Sequence, residues 1–303
     1  MKGLASMNRG TPDDVRKAIQ HFESAAAQDP QLASAWASLA QARHLLVMMG
    51  VLAPREAYPL AHDEARRALA ADPALPDTHV AQGLVQLWYE LRPAEAAASF
   101  ERALALNTSN AAALHDYAWS LVALNRDDEA VSRIVAARDL DPLSVRANND
   151  IGWLYLQLRQ PSDAIRACQQ TLAVFPESLE AQACLERAYL QRGMYQSALR
   201  AALVTMPRPG DLGASIPTSI EAIWRMRLER LETLARTRWV SPYTLATHLA
   251  MTGQRERALD QLEAAADQRV GMLVFLERDP AIDSLRGEPR FQALRARLTE
   301  TAP

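Results

Sequence analysis

The chain has 303 residues, of which 49% are hydrophobic and 6% aromatic, and its 33 Lys and Arg against 36 Asp and Glu give a net charge of −3. These numbers exclude a disordered chain, because the apolar residues suffice for a core, and they favour helices over strands, which need more β-branched and aromatic residues. They also exclude the basic excess that is typical of nucleic-acid binders, so we expect neither nucleic acid nor a membrane surface as a direct partner.

Short turn sequences recur along the chain at a nearly constant interval. They are separated by 43, 35, 34 and 34 residues and are Asp29-Pro30, Asp72-Pro73, Asn107-Thr108, Asp141-Pro142 and Phe175-Pro176. A helix–turn–helix period of 34 residues is the signature of tetratricopeptide repeats. The sequence therefore predicts an all-α tetratricopeptide solenoid, an elongated right-handed superhelix in which each unit contacts only its neighbours.

The first predicted element, before residue 30, has the pattern of a second helix without its partner. Ala18, Phe22 and Ala25 form its apolar face. Because the end of a solenoid needs a cap, we expect that this face either forms a homodimer or is covered by residues 1–10.

About five repeat units follow, and they complete an array over residues 1–206. The first full unit, residues 33–73, is about nine residues too long, and we expect the excess to form an apolar loop over residues 48–58. Residues 111–142 and 145–176 are the most regular units. They carry small residues at the eighth and twentieth positions, where paired helices approach each other: Ala118 with Ala130, and Gly152 with Ala164.

The array is interrupted by a Pro/Gly-rich linker at residues 207–217. Residues 218–303 are predicted to form a C-terminal segment, with a charged helix over 218–238, a repeat-like pair, a short turn and a terminal helix. In that last helix, Phe291, Leu294 and Leu298 are spaced to cover the open end of the structure.

Three stretches resemble one bacterial family. Residues 8–14 read Asn-Arg-Gly-Thr-Pro-Asp-Asp, residues 238–243 read Arg-Trp-Val-Ser-Pro-Tyr, and residues 279–291 begin Asp-Pro-Ala-Ile-Asp. They are similar to the C-terminal repeat half of winged-helix transcriptional regulators, adenylate cyclases and protein kinases. The resemblance implies a regulatory or signal-input module that follows an effector domain, although no effector motif precedes the repeats here.

No pattern of catalytic or metal-binding residues stands out. The six histidines lack metal-ligand spacing, and the chain has no P-loop, GxGxxG or GxSxG motif. Cys168 and Cys184 are interpreted as buried apolar residues rather than as a redox pair. We read no signal-peptide pattern and no stretch of about 20 apolar residues in the sequence. We therefore expect a cytoplasmic protein that is not an enzyme and holds no cofactor or metal.

The polar and aromatic residues that the fold does not require are the candidate binding site. In this type of repeat, four positions of the first helix face the concave groove, and they predict a partner-binding surface made of His115, Asp116, Trp119, Arg146, Asn149, Asp150, Trp153 and Arg187. The two tryptophans fit either a peptide-binding groove or the packing between helices.

Together these features favour a scaffold that binds a protein or peptide, through a segment with a basic or aromatic anchor. A chaperone C-terminus is disfavoured, because Ala112 and Asp116 stand where such adaptors carry carboxylate-binding residues. The alternative is a small-molecule sensor of a transcriptional regulator, with the ligand near the interruption at residues 207–217.

Overall fold

The computed structural model describes residues 2–7, 11–206 and 217–300. In these ranges it has no strand, and its sixteen α-helices follow one another mostly as antiparallel pairs. They are α1 Lys2–Met7, α2 Pro12–Gln28, α3 Ala33–Met48, α4 Pro54–Ala71, α5 Pro76–Trp88, α6 Pro93–Leu106, α7 Ala111–Ala123, α8 Asp127–Leu140, α9 Val145–Gln157, α10 Pro161–Val174, α11 Leu179–Gln191, α12 Tyr195–Val204, α13 Ile220–Ala235, α14 Pro242–Met251, α15 Arg255–Asp267 and α16 Pro289–Glu300; short 3₁₀ helices span Gly271–Phe275 and Pro280–Leu285.

The same local signals begin and end the helices at intervals of 34 residues. Asn110, Ser144 and Ser178 cap α7, α9 and α11, and each side-chain oxygen accepts a hydrogen bond from the N–H three residues later. A residue with a positive φ of 57–67° follows the first helix of successive pairs, at positions 91, 125, 159 and 193. This left-handed residue ends each first helix and turns the chain into the second.

The predicted small residues lie where the paired helices approach most closely. Ala118, Ala130 and Ala164 are completely buried. A Cβ atom on Gly152 would lie 2.2 Å from Sγ of Cys168 and 2.7 Å from Sγ of Cys184. The position therefore accepts only glycine unless its neighbours move.

The expected long loop at residues 48–58 is wrong. Most of the excess length lies in the helices, because α3 has 16 residues and α4 has 18, and only residues 49–53 connect them. Helix is favoured here because it buries apolar side chains of the supposed loop. Tyr58 is fully buried, and its hydroxyl lies 2.8 Å from Nδ1 of His44.

The apolar face of α2 is covered within the chain. The short helix α1 packs on α2, with Gly3 against the ring of Phe22, which is only 7% exposed. This is the cap that was expected from residues 1–10, although residues 1 and 8–10 lie outside the described ranges. The homodimer stays a prediction.

The two cysteines are joined, which corrects their interpretation as separate buried residues. Cys168 on α10 and Cys184 on α11 form a disulfide, with their Cα atoms 6.5 Å apart. Both side chains are buried beside Gly152. The helices can bring the sulfurs together because glycine leaves the space between them free.

The C-terminal segment packs on itself and then returns to the array. Leu262, Phe291 and Leu294 belong to its own core, in which α14, α15 and α16 meet, and Leu298 packs against that core as predicted. The 3₁₀ helix Gly271–Phe275 contacts α5 and α7, which lie more than 140 residues earlier. The expectation that each unit contacts only its neighbours is therefore wrong for this segment. In the described ranges, no helix is long and apolar enough to cross a membrane.

Candidate partner-binding groove

The predicted groove residues lie on three successive first helices, α7, α9 and α11, and four of the eight contact one another. Nδ1 of His115 lies 2.9 Å from Oδ1 of Asp116, and its Nε2 lies 2.6 Å from Oδ2 of Asp150. Arg146 donates a hydrogen bond of 2.6 Å to the same Asp116 oxygen. These four residues therefore form one charged network that connects α7 with α9.

The network fixes the protonation of its buried members. Burial alone would raise the pKa of Asp116, but Arg146 and His115 hold it below its ordinary value. Burial and Arg146 lower the pKa of His115, yet its hydrogen bonds to Asp116 and Asp150 raise it above the ordinary value. Because the buried charges compensate one another, removing one of them would leave its partners unpaired.

A second link continues the polar surface to α11. The side-chain amide of Asn149 donates to Glu180 at 2.6 Å, and its oxygen accepts a hydrogen bond of 2.8 Å from Ser178. Asn149 is buried and Glu180 is exposed. The polar residues predicted for partner binding thus already hold successive repeats together.

The two tryptophans differ although they occupy equivalent positions. Trp119 is only 8% exposed, and its ring lies 6.5 Å from that of Trp88 and 5.5 Å from that of Phe275, measured between centroids. Trp153 is half-buried and lines an open cleft. Trp119 is thus covered by the C-terminal segment, and Trp153 is not. Their role in partner binding stays a prediction.

The segment that covers Trp119 fits closely. A Cβ atom on Gly271 would lie 2.4 Å from the carbonyl oxygen of Trp88, so this position requires glycine. Phe275 is completely buried between Trp88 and Trp119, at 5.8 Å and 5.5 Å. We call residues 271–278 the docked segment.

An arginine fixes the end of the docked segment. Arg278 donates two hydrogen bonds, of 2.8 and 2.7 Å, to the carboxylate of Asp127 and one of 2.6 Å to the carbonyl of Val122. Beyond it, Arg159 donates two more to Asp283, at 2.8 and 2.6 Å. Paired hydrogen bonds between arginine and carboxylate fix orientation as well as distance.

Sequence reasoning missed Trp88, Phe275 and Arg278. One signal was present in the run of residues 270–276, Val-Gly-Met-Leu-Val-Phe-Leu. This run is too apolar for an exposed turn, and it interrupts the helical period with a glycine. Such a run predicts a buried segment, but it does not say what the segment packs against.

The remaining predicted residue, Arg187, lies apart from the charged network. Its guanidinium stacks on Trp224, 4.3 Å from the ring centroid, and it faces the cleft that Trp153 lines. The cleft therefore joins one end of the predicted groove to the C-terminal segment. The sensor site expected near residues 207–217 falls almost wholly on residues 207–216, outside the described ranges.

No family model matches the chain, and no curated protein matches it. Solved structures do resemble it, at low identity. A structure of IFIT1 with m7Gppp-AAAA is 17% identical, with a TM-score of 0.59 over 98% of this chain and 70% of that one. Yeast Tom70 is 17% identical, with a TM-score of 0.54 over 99% and 66%. PilW, a type IV pilus biogenesis factor, is 19% identical, with a TM-score of 0.53 over 72% and 94%.

At these identities the likeness shows the fold alone. The paired helices, the 34-residue recurrence of caps and left-handed turns, and the structural neighbours agree on one architecture. The chain folds as an all-α tetratricopeptide solenoid, which confirms the predicted fold class.

Proposed function

We propose that the chain is a non-catalytic scaffold that binds a segment of a partner protein on the inner surface formed by its first helices. The resemblance of three sequence stretches to the repeat half of bacterial regulators supports a regulatory or signal-input role for this binding. Such a scaffold acts through the affinity and orientation of its partner, and it needs no cofactor.

One observation carries the proposal: the inner surface already holds a peptide segment of this chain. The docked segment places an aromatic anchor, Phe275, between Trp88 and Trp119 of two first helices, and its basic anchor, Arg278, pairs with Asp127 at the start of the second helix α8. These are the two kinds of anchor that the sequence predicts for a partner. A surface that binds one such segment has the chemistry to bind another.

The partner binds next to the docked segment rather than in its place. Phe275 is fully buried, and its segment is covalently tethered to the array. A free partner would therefore have to compete with the high effective concentration of the docked segment. Part of the inner surface of α9 and α11 is left accessible. There the side chains of Arg146 and Asp150 are 45% and 25% exposed, Glu180 is exposed, and Trp153 is half-buried.

The histidine of the network is unsuited to catalysis. Both ring nitrogens of His115 face carboxylate oxygens, within 2.9 Å, and the residue is 4% exposed. No nitrogen remains to take a proton from a substrate. General base catalysis requires such a nitrogen within hydrogen-bonding distance of the substrate, so the geometry favours binding without turnover.

The test is affinity capture from an extract of the source organism with three forms of the full chain. These are the wild type, a groove variant with Trp153→Ala and Glu180→Ala, and a control variant with Tyr195→Ala, which alters an exposed side chain outside the predicted groove. We expect one protein to be retained by the wild type and by the control, and its Kd for the groove variant to rise at least about tenfold. Circular dichroism checks that all three forms are equally folded.

Equal capture by the folded groove variant would contradict the proposed site. Retention of nothing specific by the wild type would contradict the scaffold function. A partner that is lost only from the Tyr195→Ala variant would move the binding surface away from the first helices.

A further inference from the structure

We propose that the cleft between the array and the C-terminal segment is a binding site for a small organic monocarboxylate with an apolar body. The cleft lies between α9, α11, α14 and the second 3₁₀ helix, and its volume is about 600 Å³. Sites for small molecules have volumes of about 300–1,000 Å³. This inference does not rest on partner binding, and the site is not the one expected at residues 207–217.

Arg187 supplies the positive charge of the site. In the described part of the chain its guanidinium has no hydrogen bond and no ion pair, and it contacts the face of Trp224 instead. Its pKa lies below the ordinary value, because burial disfavours its charge. A half-buried guanidinium with all its donors unused is a strong site for a carboxylate, which accepts two parallel hydrogen bonds from arginine.

The other charged groups of the cleft have hydrogen-bond partners among the described residues. Arg159 is paired with Asp283 by two hydrogen bonds. Asp279 accepts hydrogen bonds from the hydroxyl of Tyr243, at 2.9 Å, and from the N–H of Ala281, at 2.8 Å. Among the described residues that line the cleft, Arg187 is thus the arginine without an ion pair. Asp279 keeps its negative charge, because its hydrogen bonds come from neutral donors, and it repels a doubly charged ligand more strongly than a singly charged one. This balance favours a singly charged carboxylate over a phosphate.

Two further polar atoms of the cleft residues, Oε1 of Gln157 and Nε2 of His248, have no hydrogen bond from a described residue. Gln157 is 7% exposed and lines the cleft, and its Oε1 is buried without a hydrogen bond from any described residue. Nδ1 of His248 lies 2.8 Å from the carbonyl of Thr244 and must donate to it, so Nε2 of the neutral ring is left as an acceptor. A hydroxyl or amide N–H on the ligand would donate to Nε2 of His248. Oε1 of Gln157 has almost no accessible surface, so the ligand reaches it only if the side chain rotates.

Apolar side chains complete the walls. The cleft is lined by Trp153 and Leu156 of α9, Leu190 of α11, Met251 of α14 and Met272 of the docked segment. An aromatic or aliphatic body would pack among them, while the carboxylate points to Arg187. The ligand would thus contact both the array and the C-terminal segment, and its binding would hold the two together.

The test measures the binding of small acids to the full chain by calorimetry. The probes are phenylacetate, 4-hydroxyphenylacetate and hexanoate, with 4-hydroxyphenylacetamide as the uncharged match and phenyl phosphate as the dianion. We expect at least one carboxylate to bind saturably, and we expect the amide and the phosphate to bind at least about tenfold more weakly. Arg187→Gln should weaken carboxylate binding by a similar factor, and Arg200→Gln, which alters an exposed arginine of α12, should not.

A second measurement needs no variant and covers the case in which Arg187→Gln does not fold. Phenylglyoxal modifies accessible arginines, and peptide mass mapping reports the rate at Arg187. A bound carboxylate should slow the modification of Arg187 and leave that of Arg200 unchanged. Three outcomes would overturn the proposal. The first is that no carboxylate binds at about 10 mM, a concentration that detects even a Kd near 1 mM. The second is that binding neither depends on Arg187 nor protects it from modification, and the third is that the phosphate binds more tightly than the carboxylates.

Discussion

Trp119 and Trp153 show how one repeat position can serve two purposes. The two residues are 34 positions apart in the sequence, and each lies on the inner side of its own first helix, α7 or α9. The docked segment covers Trp119 and leaves Trp153 uncovered. Trp153 remains half-exposed at the cleft. The position of a residue in a repeat predicts the surface on which it lies, and long-range packing decides whether that surface is open.

We expect the two tryptophans to differ in their contribution to stability. Trp119→Ala should lower the free energy of unfolding by about 3–5 kcal/mol, because it removes a packed indole from the core. Trp153→Ala should lower it by about 1–2 kcal/mol, as is common for partly exposed residues. Urea denaturation of both variants measures the difference. Equal losses would mean that the docked segment does not cover Trp119.

Acid should destabilise the protein through His44. This histidine is 4% exposed, and burial lowers its pKa from 6.5 to about 3. Since the folded state binds the proton more weakly than the unfolded state, the stabilisation is complete above pH 6.5 and is lost as the pH falls towards 3. The loss is about 1.4 kcal/mol per pH unit in that range.

A matched pair of variants isolates this contribution. His44→Gln should make the free energy of unfolding less dependent on pH between 6.5 and 4, whereas His21→Gln, at an exposed position of α2, should leave the dependence as in the wild type. Identical pH profiles for His44→Gln and the wild type would show that His44 does not titrate as a buried group.

Among the helices, α9, α10 and α11 are held at a distance that only glycine permits. Gly152→Ala would place a methyl group 2.2 Å and 2.7 Å from the two disulfide sulfurs. We expect a loss of about 1–3 kcal/mol from this overpacking, measured by thermal and urea denaturation. The control is Gly287→Ala, where the new methyl group meets no atom within 4 Å. A loss that is as large at Gly287 would indicate a general effect of glycine replacement.

The elements could be predicted where the signal is local. The caps at Asn110, Ser144 and Ser178 recur with the period of the sequence, and the helices begin where this period places them. The supposed loop at residues 48–58 could not be predicted correctly, since extra residues lengthen two helices as readily as they form a loop. The disulfide was missed because it depends on how closely α10 and α11 approach each other.

For the whole molecule, the decisive feature is the return of the C-terminal segment to the array. Arg278 and Asp127 are 151 residues apart in the sequence and form an ion pair of 2.7 Å. Periodicity reports only what each helix buries and not its distant partner, so the sequence predicted the inner surface and not its occupant. The candidate residues of α7 and α9 lie on adjacent first helices because they follow from the repeat register, and their role in binding stays a prediction.

A double-mutant cycle between Trp119 and Phe275 tests this docking most directly. Trp119→Leu, Phe275→Leu and the double variant are compared with the wild type by urea denaturation, and Trp119→Leu with Phe22→Leu serves as the control, because Phe22 belongs to the separate core of α2 and α3. We predict a coupling energy of about 0.5–1.5 kcal/mol for Trp119 with Phe275 and additive effects for the control pair. Additive effects at Trp119 and Phe275 would contradict the docking of the C-terminal segment on the inner surface.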